Sequence, residues 1–172
     1  AMSAKGCDAM LISEPMNESW LCGFEYHDGY MLVTAKNAYI ITDSRYTEAA
    51  ERHIQDAAIA QVSRGRGYTA LINEVIEAEH LEAVGFEDAY MTVQDYNVYK
   101  EKLHCELLPA AEMLTELRKV KDEEEMAAMI AAQRIAEQAL EEILPLIKPG
   151  AVEREVAAEL DYRMARLGST GV

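Results

Sequence analysis

The sequence predicts an α/β domain over residues 1–121, a mixed-direction β-sheet flanked by helices, followed by a helical segment over residues 122–172. Three observations carry this reading. Strand-like apolar runs alternate with helical periodicities from Asp8 to Leu108. Two of those runs, Tyr30 to Thr34 and Ala38 to Thr42, stand only three residues apart, a spacing for an antiparallel hairpin, whereas the others are separated by helices. Beyond Ala110 only the helical period remains.

Taken in order, Asp8 to Ser13 (DAMLIS) follows Gly6 as a short apolar run and reads as a buried strand, preceded by the last turn of a helix. Glu14-Pro15 stops it. Asn17 to Cys22 forms a short helix closed at Gly23, where a left-handed residue without Cβ fits. His27-Asp28-Gly29 makes a turn into the hairpin, whose connecting residues Ala35, Lys36 and Asn37 suggest a positive φ at the tip. Thr42 or Asp43 caps a helix through about His53. Ile59 to Val62 and Val84 to Phe86 are further strands, Tyr68 to Glu79 and Val93 to Lys102 further helices, and Leu107-Leu108 a last short strand.

Glu112 to Val120 is helical, and Asp122 stands three residues before Glu125, a capping-box spacing with an Asp cap. Met126, Met129, Ile130, Ala136, Leu140, Ile143, Leu144 and Ile147 then recur at helical intervals on one long helix that Pro149-Gly150 ends. Val156, Leu160, Met164 and Leu167 mark a second amphipathic helix before Gly168. A long apolar face with no sheet of its own places the domain boundary near Lys121.

Half of the 172 residues are hydrophobic, enough for a core. With 31 acidic and 16 basic residues the net charge is −15, which repels nucleic-acid phosphates and anionic membrane surfaces. No apolar run reaches the length of a membrane span. Three widely spaced cysteines, Cys7, Cys22 and Cys105, offer neither a disulfide framework nor a thiolate zinc site, and fit a reducing cytoplasm.

Several local patterns carry possible chemistry. Gly65-Arg66-Gly67-Tyr68-Thr69-Ala70 has the form G-x-G-x-x-A, with Glu87 about 20 residues on, as in a dinucleotide fold. Against it, Ser63 and Arg64 separate the preceding strand from the first glycine, and a plain strand-to-helix loop explains the glycines as well. Two E-x-x-H pairs, Glu77 with His80 and Glu101 with His104, are metal-ligand spacings in di-metal helical bundles, but each ends a short helix in an alternating pattern, where solvated helix ends are the plainer reading. Tyr26, His27 and Asp28 lie on a loop tip, and Asp43, Arg45 and Tyr46 where a strand passes into a helix. Arg45 either braces Asp43 or Asp28, or projects toward a ligand.

The blocks GCDAMLISEPMNESWLCGF, DGYMLVT, AYIITDSRYTEAA, LRKVKDEEEMAAMIAAQRIAEQAL, IKPGAVEREVAAELDYRM and LGSTGV span nearly the whole chain. In series they resemble the creatinase/prolidase-type N-terminal domain joined to the opening helices of the pita-bread catalytic domain of Xaa-Pro peptidases (prolidase and aminopeptidase P). The resemblance implies a cytoplasmic, homodimeric metallopeptidase acting on proline-containing peptides, with two divalent metals (manganese, zinc or cobalt) held by two Asp, one His and two Glu of the catalytic domain. None of those ligands maps onto this chain, so these residues alone, ending in a truncated pita-bread segment, are expected to hold no cofactor and to be inert.

In that family the N-terminal domain helps form the dimer and extends a loop toward the other subunit's active site. The matching loop is Phe24 to Gly29. Tyr26, His27 and Asp28 are therefore the candidates for shaping substrate in trans, and Arg45, in the D-S-R-Y block, is a further one. The chain departs from the family pattern at Ser44 (usually Gly), Trp20 (commonly Tyr) and Val152 (usually a capping Thr or Ser). The same architecture also serves as a non-catalytic interaction module and, in creatinase, for C–N hydrolysis without metals, and these stand as alternatives beside the dinucleotide reading.

Overall fold

The structure is a computed structural model that describes residues 2–170. The chain divides into two compact units, Ala1–Arg118 and Lys119–Val172. The first is built on a six-stranded sheet. Its elements are α1 (Met2–Lys5), β1 (Ala9–Ile12), α2 (Pro15–Cys22), β2 (Gly29–Thr34), β3 (Ala38–Thr42), α3 (Thr47–His53), β4 (Ala58–Gln61), α4 (Tyr68–Glu79), β5 (Ala83–Phe86), α5 (Val93–Lys102), β6 (Glu106–Pro109) and α6 (Ala111–Lys119).

The strands lie in the order β4-β3-β2-β1-β5-β6. β1 pairs antiparallel with β2, and β2 with β3, while the pairs β3 with β4, β1 with β5 and β5 with β6 are parallel. The sheet is mixed because the β2–β3 hairpin and the connection through α2 reverse the chain, whereas the connections through α3 and α5 return it in the same direction. Asp8 fixes the start of β1 against β5, its carboxylate accepting from Glu82 N (2.8 Å) and Ala83 N (3.0 Å).

All four residues of β1 are buried, as a central strand covered on both faces requires. Ala9 and Leu11 face a core completed by Leu71, Ile72 and Ile76 of α4 and Tyr99 of α5. Met10 and Ile12 face the opposite core, with Met31, Ile40, Tyr26 and, from α6, Met113 and Leu114. The period-two alternation of the sheet thus divides one apolar run between two layers. Each fully buried leucine or isoleucine there stabilises by roughly 1.5–3 kcal/mol.

Two local expectations are corrected. The hairpin tip has no positive φ, because Thr34 closes it instead: Thr34 Oγ1 accepts from Lys36 N and Asn37 N, and Thr34 N donates to Asn37 O. Neither Thr42 nor Asp43 caps α3. Asp43 Oδ1 accepts from Arg45 N (2.8 Å), which makes a turn and delays the helix to Thr47, and Thr42 Oγ1 donates to Asp28 O (2.7 Å). His80 is the left-handed cap of α4, with φ 56°.

In the second unit, α7 (Glu123–Ile143) opens with the capping box the spacing predicts: Asp122 Oδ1 accepts from Glu125 N and Glu125 Oε2 from Asp122 N, both at 2.8 Å. The helix ends at Ile143 rather than at Pro149, since Pro145 has no N–H for another α-turn and the chain tightens into a 3-10 turn over Leu144–Leu146. α8 (Glu153–Arg166) starts at Val152 without a side-chain cap. Arg163 ties α8 to α7 through Glu142 Oε2 (3.0 Å). Of the apolar stripe, Ile143 is buried and Met126, Met129, Ile130, Leu140, Leu144 and Ile147 are exposed.

Candidate functional site

The Phe24–Gly29 loop hangs between α2 and β2, so the way α2 is held decides where the loop sits. At the end of β5 the carboxylate of Glu87, only 1% exposed, reaches across to the start of α2. Its Oε2 accepts from Ser13 N (2.6 Å), Ser13 Oγ (3.2 Å) and Glu14 N (2.7 Å), and its Oε1 from Asn17 Nδ2 (2.6 Å). Asn17, also buried, accepts at Oδ1 from Arg118 Nη1 (2.7 Å). An acceptor-only group facing this many donors satisfies a helix start that Pro15 and Glu14 leave without a side-chain cap.

α2 closes at Gly23, whose φ of 66° turns the chain into the loop while its N–H reaches Ser19 O. The sequence reading placed Tyr26 on the loop tip with His27 and Asp28. The structure separates them: His27 and Asp28 are exposed, whereas Tyr26 is 1% exposed and part of the core. Its ring lies against Gly29, where a Cβ would stand 2.8 Å from Tyr26 Cε2 and 2.6 Å from Ile41 O. Phe24 stacks between Tyr26 (6.2 Å) and His53 (5.6 Å). Tyr26 therefore anchors the loop, and His27 and Asp28 are the residues it presents to solvent.

Arg45 braces the outer side of the loop. Its guanidinium binds Asp28 Oδ2 and both oxygens of Asp43, which holds Asp43 below the usual carboxylate range and Arg45 above its ordinary value. Arg45 and Asp28 are solvent-exposed and Asp43 is half-buried, and the arrangement orients Asp28 more than it stabilises the fold. Two hollows flank the loop, and His27 lines both. One, of about 370 Å³, is walled by Pro15, Met16, Ser19, Trp20, Glu25 and Tyr26. The other, of about 500 Å³, is walled by Asp28, Tyr30, Tyr68, Tyr90, Met91 and Asp95 among others.

Beneath the loop lies a group that sequence reasoning missed. Glu18 is 1% exposed, and burial pushes its carboxyl up to about 8; the Tyr26 hydroxyl offsets part of that rise, the Glu87 charge adds to it, and the Met31 N–H opposes it. The hydroxyl is near enough to act on Glu18, yet neither Tyr26 Oη nor Glu18 Oε1 completes a hydrogen bond. Burial, and then Glu18, raise the Tyr26 phenol in turn. No local signal marks it, because α2 buries Asn17 and Glu18 while Met16 and Leu21 are exposed, the reverse of an ordinary amphipathic helix.

The other patterns resolve into structure. Gly67 precedes α4 and Ser63 pairs with Arg66 in a tight turn, while Glu87, the acid a dinucleotide reading needs, is engaged at α2. His104 Nδ1 meets Glu77 Oε1 at 2.8 Å, joining one member of each E-x-x-H pair at the surface. Among the described residues no three His, Cys, Asp or Glu side chains converge to hold a metal ion. Burial raises all three thiols, Cys105 to about 11, away from nucleophilic thiolate. No helix of the described residues is long and apolar enough to cross a membrane.

The fold and site together define an α/β domain that presents a braced loop at one end of its sheet. The chain belongs to the creatinase/prolidase N-terminal domain family, whose profile matches residues 1–120. It is 33% identical over 95% of its length to an uncharacterized peptidase, YqhT, of Bacillus subtilis, of which it covers 46%. Among solved structures it is similar to an Xaa-Pro dipeptidase from Bacillus anthracis (29% identity, TM-score 0.93, 99% of this chain and 48% of that one). It is also similar to an X-Pro aminopeptidase from Thermotoga maritima (25% identity, TM-score 0.87, 99% and 49%). The chain thus spans about half the length of the relatives it matches.

Proposed function

We propose that this chain is the N-terminal part of a metal-dependent Xaa-Pro peptidase, a dipeptidase or aminopeptidase of the cytoplasm, in which it forms the dimer and limits the substrate. The observation that carries the reading is the continuous likeness over 99% of the chain to the B. anthracis Xaa-Pro dipeptidase, through both the sheet domain and the two helices after it. In this reading the chemistry belongs to the other half of such a protein. Two divalent metals there would supply the activated water. The role of this half is positional. Tyr26 and the Glu87 bracket hold the loop, Arg45 orients Asp28, and His27 with Asp28 meets the peptide bound in the other subunit.

The test compares residues 1–172 with the whole protein, each given manganese and an Xaa-Pro dipeptide. Hydrolysis by the whole protein and none by residues 1–172 is expected. Turnover by residues 1–172 would contradict the placement of the chemistry, and a whole protein inert toward every Xaa-Pro peptide would contradict the activity.

A further inference from the structure

Two buried carboxylates lie within reach of one another's charge near the start of α2, and their surroundings differ. Glu87 collects the donors of that region: two backbone N–H groups, the Ser13 hydroxyl and the Asn17 amide. Glu18, one residue beyond Asn17, is left with little. The groups that bear on it are the Tyr26 hydroxyl from the loop, the Met31 N–H and the Tyr30 phenol from β2, the Cys22 thiol from its own helix, and Glu87 from the end of β5. None is a cation. Arg118 bonds the neighbouring Asn17. An ionised Glu18 would keep its charge buried with little beyond the Tyr26 hydroxyl and the Met31 N–H to offset it, whereas a neutral carboxylic acid has no charge to desolvate and can place its proton toward Tyr26 Oη, another buried polar atom lacking a hydrogen bond.

The mechanical ties of the two partners differ as well. α2 is held through Glu87, Asn17 and Arg118. The loop is held by the Tyr26 ring against Gly29, the Phe24 stack on His53, and the hydrogen bond from Thr42 Oγ1 to Asp28 O. When one side must yield, it is the loop.

We propose that Glu18 is a proton-controlled latch for the Phe24–Gly29 loop: in its acid form it seats Tyr26 and keeps the loop closed, and on losing its proton it expels Tyr26, admits water and frees His27. The shift of Glu18 from 4.5 to about 8 sets the window: opening grows as pH rises toward 8 and levels off above it. The latch is a property of this chain and does not depend on what the loop shapes.

Amide hydrogen exchange of residues 24–29 in the 172-residue chain, followed from pH 6 to 9.5 and corrected for the intrinsic rate, tests this with residues 68–79 of α4 as an internal reference. In the unsubstituted chain, loop protection should fall by about tenfold or more between pH 6 and 8, level off above 8, and fall further than that of α4. Glu18→Gln, which keeps the shape and removes the titration, should abolish the pH dependence. Tyr26→Phe supplies a second arm, because removing the hydroxyl that offsets the burial of Glu18 should move upward the pH at which the fall levels off. An equal fall in the Gln variant, no fall in the unsubstituted chain, or a levelling pH unmoved by Tyr26→Phe would overturn the proposal.

Discussion

Replacing Glu87 by glutamine is the sharpest probe of how the loop is positioned. The carboxylate takes donors on both oxygens, three at Oε2 and one at Oε1, at 2.6–3.2 Å. A glutamine has one acceptor oxygen. Whichever way its amide turns, an NH2 group opposes either Asn17 Nδ2 or the Ser13 and Glu14 amides. Hydrogen bonds to a charged acceptor contribute about 1.5–3 kcal/mol each, and stranding buried donors adds their desolvation. The expected loss is about 3–5 kcal/mol, the range for breaking one side of a buried charged network. Urea unfolding followed by the emission of Trp20, the one tryptophan of the chain, reads this from α2 itself. Glu74→Gln, which breaks only the exposed pair with Arg66, should leave the midpoint almost unchanged. A loss below about 1 kcal/mol for Glu87→Gln would refute the claim that this bracket holds α2.

Gly29→Ala forces a Cβ to within 2.6 Å of Ile41 O and 2.8 Å of the Tyr26 ring, and should cost about 1–3 kcal/mol and raise exchange of the loop amides, as melting and hydrogen exchange would show. Glu18 makes stability pH-dependent with a defined sign. Its folded value, about 8, lies above the ordinary 4.5, so its contribution is intact below 4.5, declines as pH rises through the window between the two, and is gone above 8. Glu18→Gln should therefore gain on the parent chain as pH rises from 5 to 9, by on the order of 4 kcal/mol at the upper end, measured as the difference in urea midpoints. Val152→Thr should supply the missing cap of α8 and stabilise the second unit by up to about 1 kcal/mol, visible by circular dichroism on heating.

The alternation of strands and helices was legible because each signal is local: the apolar run of β1, the hairpin spacing, the Gly23 cap and the Asp122 box depend on neighbours within a few residues. What the sequence concealed depends on distant partners. Tyr26 looks like any polar residue of a loop until Gly29 and Ile41 are seen to leave a slot for its ring. Glu87 at the end of a strand reads equally well as a ribose-binding acid, and only the fold brings Ser13 and Asn17 to it. Glu18 sits on a helix whose polar residues face inward, so the rule that apolar residues are the buried ones points to the wrong face. Arg45 shows the intermediate case: both of its possible braces were visible, and the structure joins it to the two at once.

The central claim is that this domain selects peptides through its loop while the chemistry lies elsewhere. The most direct test is the ratio of kcat/KM for an Xaa-Pro dipeptide to that for an Xaa-Pro-Xaa tripeptide in the whole, metal-loaded protein, before and after His27→Ala. The account predicts a change in that ratio of roughly fivefold or more, with metal content and melting temperature unaltered. An unchanged ratio would contradict a role for His27 in selection, and loss of metal would show that the loop had been assigned to the wrong place.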